Sequence, residues 1–243
     1  GLDREDMNIS ITETTMLLAI AVRNGYVPST VSEAVYTIGG KDIADAFTVE
    51  NGVLVQYCGV RRQLTVPEAI DGEQITAIGA EAFKGNHFTE QVILPDTVTV
   101  IGDRAFSGCA LLHAVHAAGV TAIGEEAFSC CALLESVTTA SVLETVGAEA
   151  FAGCVSLTAL DLTGITNIPE GVCKSCGALQ TVYAPDARTL GDSAFLNCAA
   201  LTALTCRWTA VTAIGNSAMS GCSAWAGNLR LDALETLGEG AFS

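Results

Sequence analysis

A six-residue pattern recurs along the chain at an almost constant interval, and this periodicity constrains the fold more than any other feature. In its most regular copies the pattern reads Ile-Gly-x-x-Ala-Phe. Successive copies begin 23, 22, 23, 22, 22, 24 and 23 residues apart. A period of this length is typical of a solenoid, in which each repeat is one short structural unit stacked on its neighbours. The eight copies begin at Ile78, Ile101, Ile123, Val146, Ile168, Leu190, Ile214 and Leu237.

Other positions recur with the same period when the first residue of the pattern is numbered 0. Position 14 is Val or Leu in six copies, and position −3 is apolar in every copy, with Ala187 as its small member. The alternation around these positions predicts two short strands in each repeat, of the types Leu157-x-x-Leu160-x-Leu162 and Val98-x-x-Ile101. We expect the Gly-acid-x-Ala-Phe segment to form a tight turn that enters a short helical or 3-10 turn.

A single repeat of this kind cannot bury its own apolar face. Hydrophobic residues make up 50% of the chain and charged residues only 16%, so stacked repeats have ample material for a continuous core. The residues therefore predict a curved coil with parallel strand ladders.

The repeat resembles a known family. The segment from Leu64 to Gly79, followed by Ala80-Glu81-Ala82-Phe83 and the recurring Ile-Gly-x-x-Ala-Phe-x-Gly-Cys-x-x-Leu pattern, is similar to the BspA-type leucine-rich repeats. The likeness covers roughly residues 47–243. It implies an α/β repeat solenoid, coiled right-handed, on a bacterial cell-surface or secreted protein, and several members adhere to host matrix proteins or other cells. It carries over no catalytic residue, because the motif is structural.

Two copies depart from the pattern. The fifth reads Ile168-Pro169-Glu170-Gly171-Val172-Cys173 and so loses both the Gly and the Phe, and the seventh has Met219 in place of Phe. The segment from Trp225 to Leu231 fits the strand pattern only with a shift of one residue, which predicts a bulge.

Residues 1–46 do not follow the repeat and form a second predicted domain. Ser10 to Glu13 has the spacing of a capping box, and apolar residues follow at helical intervals from Met16 to Ala21. A second helix is expected after Pro28, with Ser29 as its cap. We expect a helical N-terminal cap on the solenoid of residues 47–243; a separate interaction module is the alternative. Asn51-Gly52, between two alternating runs, predicts a hairpin.

The charge of the chain excludes some partners. The formal net charge is −16, with only 11 Lys and Arg residues, so nucleic acid and anionic membrane surfaces are not expected partners. The longest apolar stretch, 15–22, is too short to span a bilayer. The chain stops at Ser243, directly after Phe242 of the last copy, so we expect a truncated C-terminus or a cap supplied by end-to-end self-association.

Cysteine occupies position 8 in six copies, where a core-facing free thiol behaves as a small hydrophobe. We expect these thiols to be reduced and structural, because equivalent parallel side chains are poorly oriented for disulfides. Cys173 and Cys176 have CxxC spacing, but neither a redox setting nor a second zinc ligand pair accompanies them. We expect both to point inward and Cys58 and Cys130 to be exposed. The six are Cys109, Cys131, Cys154, Cys176, Cys198 and Cys222.

Acidic residues also follow the repeat, just after its Gly. We expect them to cap free N–H groups of a short helical turn; a calcium-binding ridge is the alternative, although the loop spacing of calcium repeats is absent. His87, His113 and His116 lack an accompanying nucleophile and acid, so we interpret them as surface residues. The acidic residues are Glu81, Asp103, Glu125, Glu126, Glu149, Glu170, Asp192 and Glu239.

The remaining residues point to binding and not to catalysis. If the Leu-x-x-Leu-x-Leu strands line one face, positions 12 and 15 point outward, and we expect no metal or cofactor there. The first hypothesis is an extracellular or cell-surface adhesion module for a protein or glycan. The second is a structural spacer that displays another domain, and the third is a redox enzyme acting through Cys173 and Cys176. The candidate ligand-contacting residues are His116, Asp161, Tyr183, Arg207 and Trp208, with packing in the 24-residue repeat as the alternative for Trp208.

Overall fold

A computed structural model describes residues 15–19, 32–36, 47–227 and 229–243. The chain divides into two compact units, residues 1–46 and 47–243. In the first unit, β1 (Thr15–Ala19) and β2 (Ser32–Tyr36) pair antiparallel, with Leu17 opposite Ala34.

The predicted helical N-terminal cap is therefore wrong for both described segments. Each is a short segment of five residues, and periodicity alone does not separate helix from strand over such a length. Pairing between the two runs satisfies their backbone groups and overrides the local helical spacing. The proposed caps at Ser10 and Ser29 lie outside the described residues.

The second unit begins with an antiparallel hairpin of β3 (Phe47–Glu50) and β4 (Val53–Tyr57). Its turn residues Asn51 and Gly52 have φ of 52° and 76°, the left-handed values that a two-residue hairpin turn requires. The hairpin prediction from Asn-Gly is confirmed.

Two series of short strands follow. Most repeats contribute one three-residue strand to the first series, the long strands, and one two-residue strand to the second, the short strands. Within each series, strands of neighbouring repeats pair in parallel. In the long-strand series, Val115 lies opposite both Val92 and Val137. The predicted two strands per repeat are confirmed. The long strands are β5 (Gln63–Thr65), β9 (Gln91–Ile93), β11 (Ala114–His116), β13 (Ser136–Thr138), β15 (Ala159–Asp161), β17 (Thr181–Tyr183) and β19 (Ala203–Thr205). The short strands are β8 (Ala77–Ile78), β10 (Val100–Ile101), β12 (Ala122–Ile123), β14 (Thr145–Val146), β16 (Asn167–Ile168), β18 (Thr189–Leu190), β20 (Ala213–Ile214) and β21 (Thr236–Leu237).

The strands form four sheets in the solenoid, all parallel apart from the antiparallel pair of β3 and β4 at one edge. The long strands make the sheets β13-β11-β9-β5 and β15-β17-β19, and the short strands make β14-β12-β10-β8-β4-β3 and β16-β18-β20-β21. A small hairpin of β6 (Ala69–Ile70) and β7 (Glu73–Gln74) lies between β5 and β8 in the chain. The strand with a bulge that we expected near Trp225 to Leu231 is not found in the described part of that segment.

The third side of each repeat is a turn segment, positions 1–8, and here the expected helical turn is wrong. In the described residues the only helical element is a 3-10 turn, Trp208–Ala210, and it lies elsewhere. Position 3 has a left-handed φ in all eight copies, between 51° and 62°, and position 7 has one in all seven copies with that position, between 61° and 74°.

The turn segment is not helical because every second N–H group donates its hydrogen bond to the next repeat and not within its own segment. The N–H groups of Glu81, Phe83 and Gly85 donate to carbonyls of the next repeat, at 2.9, 2.7 and 2.8 Å. The N–H of Lys84, between them, donates locally to Glu81. A helix needs every N–H to donate within its own segment. Half of those donors join repeats instead, so an all-strand-and-turn solenoid replaces the expected α/β class in the described residues.

Stacked side chains fill the core. Phe83, Phe106, Phe128 and Phe151 are buried one above another, with centroid distances of 4.7, 5.2 and 5.3 Å and nearly parallel rings. Cys173 interrupts this column in the fifth copy. In the last copy Leu237 and Phe242 are exposed; self-association through this end stays a prediction.

Candidate binding surface

The outward side of the long strands carries the residues that the packing leaves free. Position 14 faces the core, so positions 13 and 15 both face outward on the same side of the sheet. Three of the five predicted contact residues, His116, Asp161 and Tyr183, occupy position 15 of their repeats and are exposed. The residue before each long strand, at position 12, also carries a side chain that is at least partly exposed. We call the side chains at positions 12, 13 and 15 of the six repeats that contain β9 to β19 the long-strand face.

The pairing register brings two of these residues together. Asp161 lies directly opposite Tyr183, and Tyr183 lies opposite Thr205. His116 belongs to the other long-strand sheet, between Ile93 and Thr138.

Tyr183 is the centre of a shallow depression of about 430 Å³. Its side chain is 49% exposed and is the large aromatic group of the long-strand face. Asp161 Oδ1 accepts hydrogen bonds from the N–H and hydroxyl of Thr163, at 2.8 and 2.6 Å, which fixes the carboxylate beside the ring. The depression is lined by Val137, Ala159, Leu160, Asp161, Thr181, Val182, Tyr183, Ala203 and Thr205.

His116 is held by its neighbours in the row. Its Nε2 lies 2.8 Å from Nε2 of Gln91, and its Nδ1 lies 3.1 Å from Oγ1 of Thr138. The ring is therefore the middle member of a row of hydrogen-bonded polar side chains that crosses the three strands β9, β11 and β13. A second shallow depression, of about 340 Å³, lies beside it and includes Glu90 and His113.

Arg207 and Trp208 follow β19 and do not lie in the position-15 row. Arg207 is exposed, whereas Trp208 is half-buried and packs edge-on against Trp225, with a centroid distance of 5.9 Å and an interplanar angle of 60°. This contact supports the packing interpretation of Trp208. Trp225 was not predicted as its partner, because the irregular segment around it hides the repeat register.

The sequence interpretation missed position 13 of the long-strand face. Gln91, Ala159 and Thr181 point to the same side as position 15, and the alternation around the buried position 14 was the signal that could have found them. Across positions 12, 13 and 15 of the six strands from β9 to β19, the charged groups are Glu90, Glu135 and Asp161, with no Lys or Arg. The face is therefore uncharged or acidic and rich in small polar side chains.

The cysteines at position 8 have a structural role. Each donates its thiol hydrogen to the carbonyl at position 5 of the preceding repeat; Cys109 Sγ, for example, lies 3.0 Å from the Phe83 oxygen. The other five S···O distances lie between 3.0 and 3.2 Å. All ten cysteines are free, and Cys58 and Cys130 are exposed as expected.

The raised pKa values of three buried thiols, Cys154, Cys173 and Cys198, oppose redox chemistry at those residues. Burial raises the pKa of Cys154 and Cys198, and the hydrogen bond with Cys176, followed by burial, raises that of Cys173. A thiol is nucleophilic only as the thiolate. Cys173 and Cys176 are both buried, in the Phe slot and the cysteine ladder as predicted.

Two members of the acidic row, Asp103 and Asp192, cap N–H groups of the next repeat, and neither caps a helix in its own repeat. Asp103 Oδ1 accepts the Glu125 N–H at 2.8 Å, and Asp192 Oδ1 accepts the Asn216 N–H at 2.7 Å. Glu126 binds Arg104 through two hydrogen bonds, which lower the pKa of the Glu126 carboxyl group. Over the described ranges, no cluster of three or more His, Cys, Asp or Glu side chains could hold a metal ion.

The repeat and its stacked strands define a leucine-rich-repeat solenoid, and sequence comparison identifies its family. Residues 76–202 and 166–243 match the family described as BspA type Leucine rich repeat region (6 copies). These overlapping matches cover well over half of the chain, so the chain belongs to this family. The resemblance inferred from the sequence is confirmed.

Solved structures share the fold. A leucine-rich repeat protein from T. pallidum, TpLRR, is 27% identical with a TM-score of 0.67, over 72% of this chain and 82% of that one. A leucine rich cell surface protein from Faecalibacterium prausnitzii is 28% identical with a TM-score of 0.59, over 72% of this chain and 48% of that one. A leucine-rich repeat protein from Eubacterium ventriosum, at 20% identity and a TM-score of 0.53, covers 79% and 46% and shows the fold alone.

The chain thus spans about half the length of the second and third of these proteins. A comparison with curated protein sequences found no match. Within the described segments, the structure has no helix of the length and apolarity needed to cross a membrane.

Proposed function

We propose that this chain is a non-catalytic binding module of a bacterial surface protein, and that the long-strand face contacts its partner. Leucine-rich-repeat membership and the likeness to a cell-surface protein support a binding or structural role. The observation that carries the proposal is the exposed Tyr183 beside the fixed carboxylate of Asp161, in a depression of small side chains.

This surface suits a protein loop or a neutral glycan. An exposed aromatic ring provides a large contact area at low entropic cost, and the neighbouring Thr and Asp side chains provide hydrogen-bonding groups. The carboxylates of Glu90, Glu135 and Asp161 repel anionic ligands, and no Lys or Arg at positions 12, 13 and 15 of β9 to β19 offsets them, so nucleic acids and anionic glycans are poor candidates.

The proposal is tested by screening the soluble chain against a panel of matrix proteins and neutral glycans. Tyr183→Ala should weaken a specific interaction roughly tenfold or more, the size expected for a central aromatic contact. Val100→Ala, an exposed apolar residue of the short-strand series, serves as the matched control and should leave binding unchanged. If the folded chain binds no member of the panel, or if Val100→Ala and Tyr183→Ala have equal effects, the proposal is wrong; the former outcome favours a spacer role.

A further inference from the structure

Backbone hydrogen bonds join neighbouring repeats on three sides: the long strands, the short strands and the turn segments. Between the repeats of β15-β16 and β17-β18 all three are present. Gln180 N–H donates to Thr158 at 2.8 Å, Gly191 N–H donates to Ile168 at 2.9 Å, and Cys173 N–H donates to Ala194 at 2.9 Å.

One junction lacks two of these three attachments. Between the repeat of β13-β14 and the repeat of β15-β16, neither pair of strands is hydrogen-bonded, so both series of sheets end at the same place. Within the described residues, the N–H groups of Thr158 and Thr166 donate to no carbonyl, whereas their equivalents Gln180 and Arg188 donate to the preceding repeat. Only the turn side continues: Phe151 N–H donates to Val172 at 2.9 Å and Gly153 N–H donates to Lys174 at 2.8 Å.

The sequence explains part of this loss. In the other seven copies position 1 is Gly, and in six of them its N–H donates to position 0 of the preceding repeat, as Gly147 does to Ile123 at 2.8 Å. The fifth copy has Pro169 there, and proline has no N–H to donate. The carbonyl of Val146 therefore receives no such bond.

The exposure of core-facing residues independently shows that packing is weaker at this junction. Val137 and Val146 are the core-facing residues of β13 and β14, and both are only half-buried. Their equivalents one repeat earlier, Val115 and Ile123, are buried, as are Leu160 and Ile168 one repeat later. Water therefore reaches the core at this junction on both strand sides.

We propose that this junction is a hinge that divides the solenoid into two cooperative halves, residues 47–156 and 157–243. The continuous turn side is its axis, and the two unpaired strand sides open and close. In a solenoid, coupling passes only through neighbouring interfaces, so one weak interface separates the folding of the two parts. The hinge crosses the long-strand face between Thr138 and Asp161, so it changes the spacing between the His116 row and the Tyr183 row.

Native-state hydrogen exchange across a urea series tests the hinge, with mass spectrometry resolving peptides from each half. Phe195→Leu lies in the second half and Phe106→Leu in the first; both rings are buried in the same column of the core. Each variant should lower the opening midpoint of its own half by roughly 0.5 M urea and leave the other half within about 0.1 M.

Pro169→Gly restores one inter-repeat donor on the short-strand side and should couple the halves in part, so that Phe195→Leu then lowers the midpoint of the first half by clearly more than about 0.1 M urea. Pro185→Gly is the matched control, because it removes a proline outside position 1 and should leave the halves independent. In the wild-type chain, the amides of Thr158 and Thr166 should also exchange faster than those of Gln180 and Arg188. Equal midpoint shifts in both halves of the wild-type background, or slow exchange at Thr158 and Thr166, would overturn the hinge.

Discussion

The thiol of Cys154 donates a hydrogen bond to the backbone oxygen of Phe128, in the preceding repeat, across 3.1 Å. Both residues are fully buried, and the same donor and acceptor recur in six repeats. The cysteines at position 8 thus form a ladder of hydrogen bonds between repeats. This role explains why cysteine, a weak hydrogen-bond donor, recurs at a buried position where an aliphatic residue would otherwise fit.

Removing one thiol from this ladder should destabilise the fold. Cys154→Ala removes the donor and leaves a small cavity, and we expect it to lower the free energy of unfolding by about 2 kcal/mol. Cys154→Ser keeps a donor and should cost less than the alanine variant. Urea unfolding measures both, with the exposed Cys58→Ala as control, expected within about 0.5 kcal/mol of wild type. Equal stability of Cys154→Ala and Cys58→Ala would contradict a structural role.

Reagents for free thiols should distinguish two classes of cysteine. Cys58 and Cys130 are exposed, and we expect them to react rapidly in the native protein. The buried thiols should react only after unfolding, because reagents do not reach them in the native fold, and the raised pKa values of Cys154, Cys173 and Cys198 also disfavour those thiolates. Mass spectrometry after a timed alkylation measures this order; rapid native labelling of Cys173 or Cys176 would revive the redox hypothesis.

Stability should fall at alkaline pH. Burial raises the pKa of Cys222 to about 11 and that of Cys206 to about 12, above the unfolded value of about 8.5. Between these values the unfolded chain loses thiol protons that the native chain keeps, so stability is complete below about pH 8.5 and declines above it.

Each such thiol should contribute a loss of at most about 1.4 kcal/mol per pH unit once it ionises in the unfolded chain, and less in practice because both side chains are partly exposed and solvent screens their shift. Urea midpoints from pH 7 to 9.5 measure the decline, and Cys206→Ala should make it shallower. A flat profile over this range would show that the native thiols ionise as easily as the unfolded ones.

A left-handed φ at position 7 should make glycine replacements costly there. Gly85 has φ of 66°, and an added Cβ would meet no atom within 4 Å, so Gly85→Ala tests backbone strain alone. We expect a loss of about 1 kcal/mol. Gly177 also has open space but lacks a left-handed φ, so Gly177→Ala should be neutral or slightly stabilising. Thermal unfolding compares the two variants, and equal effects would contradict the argument from φ.

The sequence predicts the strand order and register of the solenoid well, because one period sets every position at once. Val92, Val115 and Val137 recur at position 14, and the structure pairs these three residues. The turn segment was misjudged because Gly-acid-x-Ala-Phe also suits a helical turn; the left-handed residues, Glu81 and Arg104 among them, are not recognisable from side-chain type. Pro169 was visible as a departure, but the loss of pairing on both sheets depends on strand spacing that local sequence does not encode.

The central claim is that conspicuous repeated residues hold the solenoid together and that the long-strand face binds the partner. Equilibrium titration of a partner captured by the panel tests it directly, with two matched sets of variants. Tyr183→Ala and Asp161→Asn should raise the Kd roughly tenfold or more, whereas Cys173→Ser and Cys176→Ser, once shown to be folded, should leave it within about twofold. The opposite result, with binding lost on changing the cysteines and retained on changing Tyr183 and Asp161, would contradict the claim.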